Sequence, residues 1–281
     1  MPKLPEMKKR IVLSLGGSLV VPDGGIDTKF LSEFSLFIRK LVRRGFRFII
    51  VVGGGTVARH YRDAGEEVLG HKLTAEDLDW LGIHATRLNA HLIRTIFRDI
   101  SHPRIAKHYK IILKTKKPIL VAAGWKPGWS TDYCATILAE DYHLSEIVNL
   151  SNIDHVYNRF ARAPHFSAGG EGKARFQAST EANSKAVESL AEKTPPFQGG
   201  EAYDADPKLD KSTKPLTSIS WKDYRKMVGD RWVPGMNVPF DPIASKNSQR
   251  LGLTVRVLDG RNLDNLENCL RGKEFIGTII K

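Results

Sequence analysis

Two glycine clusters, Gly16-Gly17-Ser18 and Gly53-Gly54-Gly55, each stand at the end of an apolar run. Ile11-Val12-Leu13-Ser14-Leu15 leads into the first and Phe48-Ile49-Ile50-Val51-Val52 into the second. A helical pattern follows each. Asp27 opens one that carries Phe30, Leu31, Phe34, Phe37, Ile38 and Leu41, while Thr56 is placed to cap one that carries Val57, Ala58, Arg59 and Tyr61. Glycines let the backbone turn tightly and bring its N–H groups against an anion. A helix amino end adds its partial positive charge. Either cluster alone reads as a tight connection. Two of them, each between a strand's carboxyl end and a helix's amino end, form a phosphate-binding constellation. Neither is a Walker A loop, and the six-residue dinucleotide fingerprint is absent.

A third junction follows Pro118–Ala123. The loop Gly124-Trp125-Lys126-Pro127-Gly128-Trp129 leads through Ser130-Thr131-Asp132 into a helix over 133–142. Those hydroxyls and that carboxylate serve equally well as a helix cap or as ligands at the carboxyl edge of an open sheet. Glu146–Leu150 is a fourth strand, left through Ser151-Asn152-Ile153-Asp154. Thr74 to Ile100 is a long helical pattern in which Thr74 and Asp77 have capping-box spacing. Asp79, Arg87, Asn89 and His91 within it read as solvated polar positions. His84, His91, His102 and His108 show no metal-ligand pattern.

These junctions require a parallel sheet with helices on its faces, and the composition allows one. The chain has 281 residues, 41% of them hydrophobic, enough for a sizeable core. Its 43 Lys and Arg against 31 Asp and Glu leave a net charge of +12, which suits an anionic partner. The positive residues are scattered and not interleaved with aromatics, which favours a small phosphorylated ligand over nucleic acid. Two cysteines far apart in sequence exclude a disulfide scaffold and fit a reducing cytoplasm. Lys8-Lys9-Arg10 before an apolar run is no secretory signal, because Gly16-Gly17-Ser18 interrupts that run. No stretch has the length of a membrane span, so the expectation is a soluble cytoplasmic protein. Residues 159–202 are rich in Gly, Ser, Ala, Pro and charge, and read as a flexible insertion within one domain spanning 1–281. Helices over 221–228 and 242–251, strands over 253–258 and 275–280, and a short helix around 263–270 complete the pattern.

In order along the chain, Leu15-Gly16-Gly17-Ser18, Val51-Val52-Gly53-Gly54-Gly55, Ser130-Thr131-Asp132, Ser151-Asn152-Ile153-Asp154-His155-Val156-Tyr157 and Asp204-Ala205-Asp206-Pro207 resemble the amino acid kinase superfamily. Asp79-Trp80-Leu81-Gly82-Ile83, Thr86-Arg87-Leu88-Asn89-Ala90 and Asp241-Pro242-Ile243-Ala244-Ser245-Lys246 make the likeness strongest to UMP kinases of the archaeal type. The resemblance implies a three-layer α/β/α sandwich around a mostly parallel sheet of roughly eight strands. It also implies phosphoryl transfer from ATP to UMP with Mg²⁺, a homohexamer, and no protein-bound metal cluster.

Residue roles come with it. Asp132, Arg59 and Lys246 would be catalytic. Ser14, Gly16, Gly17, Ser18, Gly54, Arg59, Ser151, Asn152, Tyr157 and Asp206 would bind ATP. Gly53, Asp79, Lys126, Gly128, Trp129, Ser130 and Thr131 would bind UMP, with Asp79 on the ribose. The chain departs from the pattern at Ser14, where many members have lysine, at His155, where glycine is usual, and in the insertion. These departures keep two alternatives in view: a same-fold kinase for another small acid or phosphate, and a non-catalytic nucleotide-binding protein like the molybdenum storage relatives.

Overall fold

The computed structural model describes residues 9–158, 213–232, 236 and 238–281. The expected insertion at 159–202, and Asp206 beyond it, lie outside the described residues. Nine strands are described: β1 (Arg10–Leu15), β2 (Arg47–Val52), β3 (Ile119–Ala122), β4 (Glu146–Ser151), β5 (Val156–Tyr157), β6 (Pro215–Leu216), β7 (Ser218–Ile219), β8 (Thr254–Asp259) and β9 (Thr278–Ile280). Seven form one sheet in the order β3-β2-β1-β4-β8-β9-β7, and β5 pairs with β6 in a separate ribbon. All neighbours in the large sheet run parallel except β8 and β9. The chain builds outward from β1 through β2 and β3, then returns to lay β4 against the other side of β1. That reversal leaves a crevice beyond the carboxyl ends of β1 and β4, where open α/β sheets bind ligands.

Strands buried on both faces read as unbroken apolar runs, and their side chains divide by period two. Ile11, Leu13, Phe48, Ile50, Val121 and Val148 face one core. There they meet helices α2 (Thr28–Arg43), α4 (Ala75–Ile96) and α8 (Leu263–Leu270). Val12, Ile49, Leu120, Ile147 and Val255 face the other, against α5 (Thr131–Asp141), α6 (Trp221–Val228) and α7 (Pro242–Leu251). The expected three layers are thus present, each helix facing the sheet with its apolar stripe.

Local chemistry sets the helix ends. Asp27 accepts from the N–H of Phe30 at the start of α2, and Thr74 and Asp77 form a reciprocal capping box on α4. Gly45, with φ of 95°, takes the left-handed turn that ends α2's segment. Two local expectations change. A single helical turn, α1 (Gly17–Val20), comes before Asp27, because burying Leu19 and Val20 in the core outweighs the shortness of the segment. Helix α3 (Gly55–Leu69) has Gly54 at its cap, while the Thr56 hydroxyl donates to Asp23 (2.8 Å). His155 does not take positive φ, so the glycine usual there is not required by this backbone. Among the described residues, no helix is long and apolar enough to cross a membrane.

Candidate active site

The register of β1 on β2 matches Leu15 with Val52, so both strands end, and both glycine turns begin, at one level. Gly16 donates its N–H to the Leu150 carbonyl (2.8 Å) and Gly53 donates to Leu15 (2.9 Å), which ties each turn to the sheet. The turns then interlock. A Cβ on Gly17 would lie 2.0 Å from the Gly55 nitrogen, and one on Gly53 would lie 2.5 Å from the Gly17 nitrogen. Only glycine allows that approach. The N–H groups of Gly17, Ser18, Gly54 and Gly55 have no acceptor among the described residues.

Asn89 explains where two of those groups point. Its carboxamide donates to the carbonyls of Gly53 (2.9 Å) and Gly54 (3.0 Å) from the buried face of α4. In a trans peptide the C=O and the following N–H point opposite ways, so holding both carbonyls toward α4 turns the N–H groups of Gly54 and Gly55 away from it. The same helix pins the loop that follows β3. The Gly124 N–H donates to Thr86 Oγ1 (2.9 Å), Arg87 donates to the carbonyls of Gly124 (3.1 Å) and Trp125 (2.7 Å), and the Gly128 N–H donates to Asp79 (2.7 Å). Partial burial raises the Asp79 carboxyl above the usual carboxylate range.

Around these turns lies a cavity of about 630 Å³. Ser14, Gly16, Gly17, Ser18, Gly53, Gly54, Arg59, Asp79, Trp129, Ser130, Thr131, Asp132, Ser151 and Asn152 all line it, so fourteen expected positions converge from the ends of four strands and from α4. Ser130 acts both as cap and as wall: its hydroxyl accepts from the Tyr133 N–H (2.9 Å) and donates to Asp241. Asp132 accepts from the Ser14 hydroxyl (3.0 Å) across the base of the cavity. Desolvation and the Asp241 carboxylate behind it push the Asp132 carboxyl up to about 7. Asp241 is itself raised by burial, although it caps α7 through the Ala244 N–H (2.9 Å).

Lys126, Gly128, Tyr157 and Lys246 do not reach the cavity. Lys126 folds its ammonium over the Trp125 and Trp129 rings, 4.8 and 5.2 Å from their centroids. Gly128 contributes through Asp79 alone. Tyr157 is buried within β5 and its hydroxyl donates to Asp154 (3.0 Å). Lys246 sits on the exposed side of α7, because Ala244, Ser245, Asn247 and Ser248 supply the face that packs inward.

In their place the cavity has residues that the sequence pattern did not single out: Asp23, Arg62, Asn149 and Arg261. Arg62 could have been found, since it lies three positions after Arg59 and hence on the same face of α3. It is half-buried, burial lowers its pKa, and its Nε donates to the Ala58 carbonyl (3.2 Å). Asp23 has no such signal. It binds Arg59 (2.9 Å), which also donates to Thr56 (2.6 Å).

Residues 9–165 match the Amino acid kinase family. The uridylate kinase of Methanocorpusculum labreanum is 27% identical over 274 residues, covering 96% of this chain and 95% of the relative. That of Methanocaldococcus jannaschii is 35% identical over 153 residues, covering 53% of this chain and 66% of the relative. Among solved structures, uridylate kinase from Archaeoglobus fulgidus superposes with a TM-score of 0.66 at 25% identity, covering 97% of this chain and all of that one. UMP kinase from Bacillus anthracis, at 17% identity and a TM-score of 0.65, shares the fold. With a matched region of more than half the chain, and two interlocked glycine turns at the switch point of a parallel sheet, the chain belongs to the amino acid kinase family.

Proposed function

We propose that this protein is a nucleoside monophosphate kinase that transfers the γ-phosphoryl group of ATP to UMP, giving ADP and UDP. The observation that carries this reading is the pair of interlocked glycine turns, which line one cavity together with Asp132 and have four N–H groups without an acceptor among the described residues. Relatives named uridylate kinase align over nearly the whole chain and support UMP as the acceptor.

Phosphoryl transfer to a phosphate needs alignment and charge neutralisation more than a base, since the acceptor oxygen is already ionised. The residues divide accordingly. Gly16, Gly17 and Ser18, with Ser151 and Asn152, form the donor wall. Arg62, Asp79, Trp129 and Thr131 form the acceptor wall, where Arg62 meets the monophosphate and the free oxygen of Asp79 takes the ribose hydroxyls. Gly53 and Gly54 stand between them, and Arg59 follows on α3. Among the described residues no three His, Cys, Asp or Glu side chains converge as a metal cage. Mg²⁺ needs none: one or two carboxylates, substrate phosphates and water suffice. Asp132, a carboxylate with no cationic partner among the described residues, fits that demand. When bound, Mg²⁺ supplies charge neutralisation on the phosphates. Asp132 would hold it in place, and Ser14 orients Asp132.

The expected homohexamer accords with Tyr61, Val68 and Leu69 on α3 and Trp80 and Leu88 on α4, all exposed apolar side chains, and sedimentation measures it. The purified full chain, given ATP, Mg²⁺ and a panel of nucleoside monophosphates and small acids, should form UDP fastest. A folded protein that binds ATP but forms no UDP would refute the reading.

A further inference from the structure

The donor wall of the cavity lacks the charge that its substrate calls for at two of the places where sequence would put it, positions 14 and 246. The position two residues before the first glycine is Ser14, and its hydroxyl is committed to Asp132. Lys246 lies outside, on the exposed side of α7. Among the described residues three side-chain cations line the cavity: Arg59, Arg62 and Arg261. Arg59 is bound by Asp23 and Thr56, and Arg62 stands by Asp79 on the acceptor side. Arg261 stands with Leu150, Ser151 and Asn152, and its guanidinium has no partner among the described residues.

Its backbone position is fixed from both sides. The Arg261 N–H donates to Asp259 Oδ1 (2.9 Å), which closes a tight turn at the carboxyl end of β8. The preceding Gly260 donates its N–H to the Ser151 carbonyl (2.9 Å). It is wedged there: a Cβ would lie 2.3 Å from Leu19 Cδ1 and 2.9 Å from Leu150 Cβ. A glycine that lets β8 close onto α1 and β4 thus delivers the next residue, a long cation, to the rim of the donor wall. A guanidinium presents a planar fork of donors suited to phosphate oxygens.

We infer that Arg261 binds the terminal phosphates of the donor triphosphate, supplying the charge that Ser14 leaves out of the first glycine turn. This rests on the kinase reading for the identity of the donor, and it predicts a dependence on phosphate number that a structural role would not produce. Arg261→Ala should weaken ATP binding to the full chain about tenfold or more by calorimetry and leave AMP binding within about twofold. Arg261→Lys should recover part of the loss, since it keeps the charge and loses the fork. In turnover, KM for ATP should rise while KM for UMP stays put. Unchanged ATP affinity, an equal loss for ATP and AMP, or a rise confined to KM for UMP would each overturn the assignment. The calorimetric arm needs no turnover, so a wild-type chain that makes no UDP would sink the kinase reading while the ATP-to-AMP contrast still judged Arg261.

Discussion

Replacing Asp132 by asparagine should abolish most activity and, at neutral pH and above, make the ligand-free protein more stable. The carboxyl is pushed from an ordinary 3.8 to about 7 by desolvation and by Asp241. The sign follows from proton binding. Below the ordinary value both folded and unfolded chains hold the proton, and the group contributes nothing. Between the two values the unfolded chain has released it while the folded chain still holds it, so stability falls as pH rises, by about 1.4 kcal/mol per pH unit. Above about 7 both are ionised and the penalty is constant, about 4 kcal/mol in all. Of this, about 2–3 kcal/mol develops between pH 5 and pH 8. Asparagine keeps an acceptor for the Ser14 hydroxyl but carries no charge against Asp241, so the penalty disappears. Urea unfolding of both ligand-free proteins at pH 5, 6, 7 and 8 measures the difference. The curves should diverge as pH rises, with the variant ahead by about 2–3 kcal/mol more at pH 8 than at pH 5, while its turnover falls by about 100-fold or more. Parallel stability curves would show that Asp132 is not held in the uncompensated environment described, and normal turnover would remove it from the phosphoryl-transfer site.

Three further outcomes follow from the same geometry. Gly17→Ala places a methyl 2.0 Å from the Gly55 nitrogen, so the two turns must separate; calorimetry should show loss of ATP binding together with a fall in melting temperature. Asn89→Ala leaves the Gly53 carbonyl without a partner among the described residues and the Gly54 carbonyl with only the Ala58 N–H, and should cost about 1–3 kcal/mol by urea unfolding, with a larger fractional fall in kcat/KM than any surface change on α4. Thr74→Ala removes one half of the α4 capping box, away from the cavity; it should cost about 1 kcal/mol and leave KM for both nucleotides unchanged.

Much of this protein is legible in its sequence because the relevant physics is local. Apolar runs buried on both faces, glycines after strands, and Asp27, Thr74, Ser130 and Asp241 ahead of helices act within a few residues of themselves. They place the helix boundaries at 221–228, 242–251 and 263–270. They also place the glycine turns at the carboxyl edge of the sheet, where open α/β sheets bind ligands. The charges of the site obey no such local rule. Lys126 was drawn onto two tryptophans, and Lys246 was turned outward because its neighbours on α7 are the ones that fit the core. Arg62 and Arg261 entered because α3 and the end of β8 happen to close on the same crevice. The link between Ser14 and Asp132 joins positions 118 apart in the chain, and only strand order brings them together. A long cationic side chain reaches several ångströms in many directions, so its type and spacing say little about its target. What the sequence determined by itself was the backbone cradle for phosphate; what tertiary structure decided was which charges face it, because that depends on packing between segments that share no local signal.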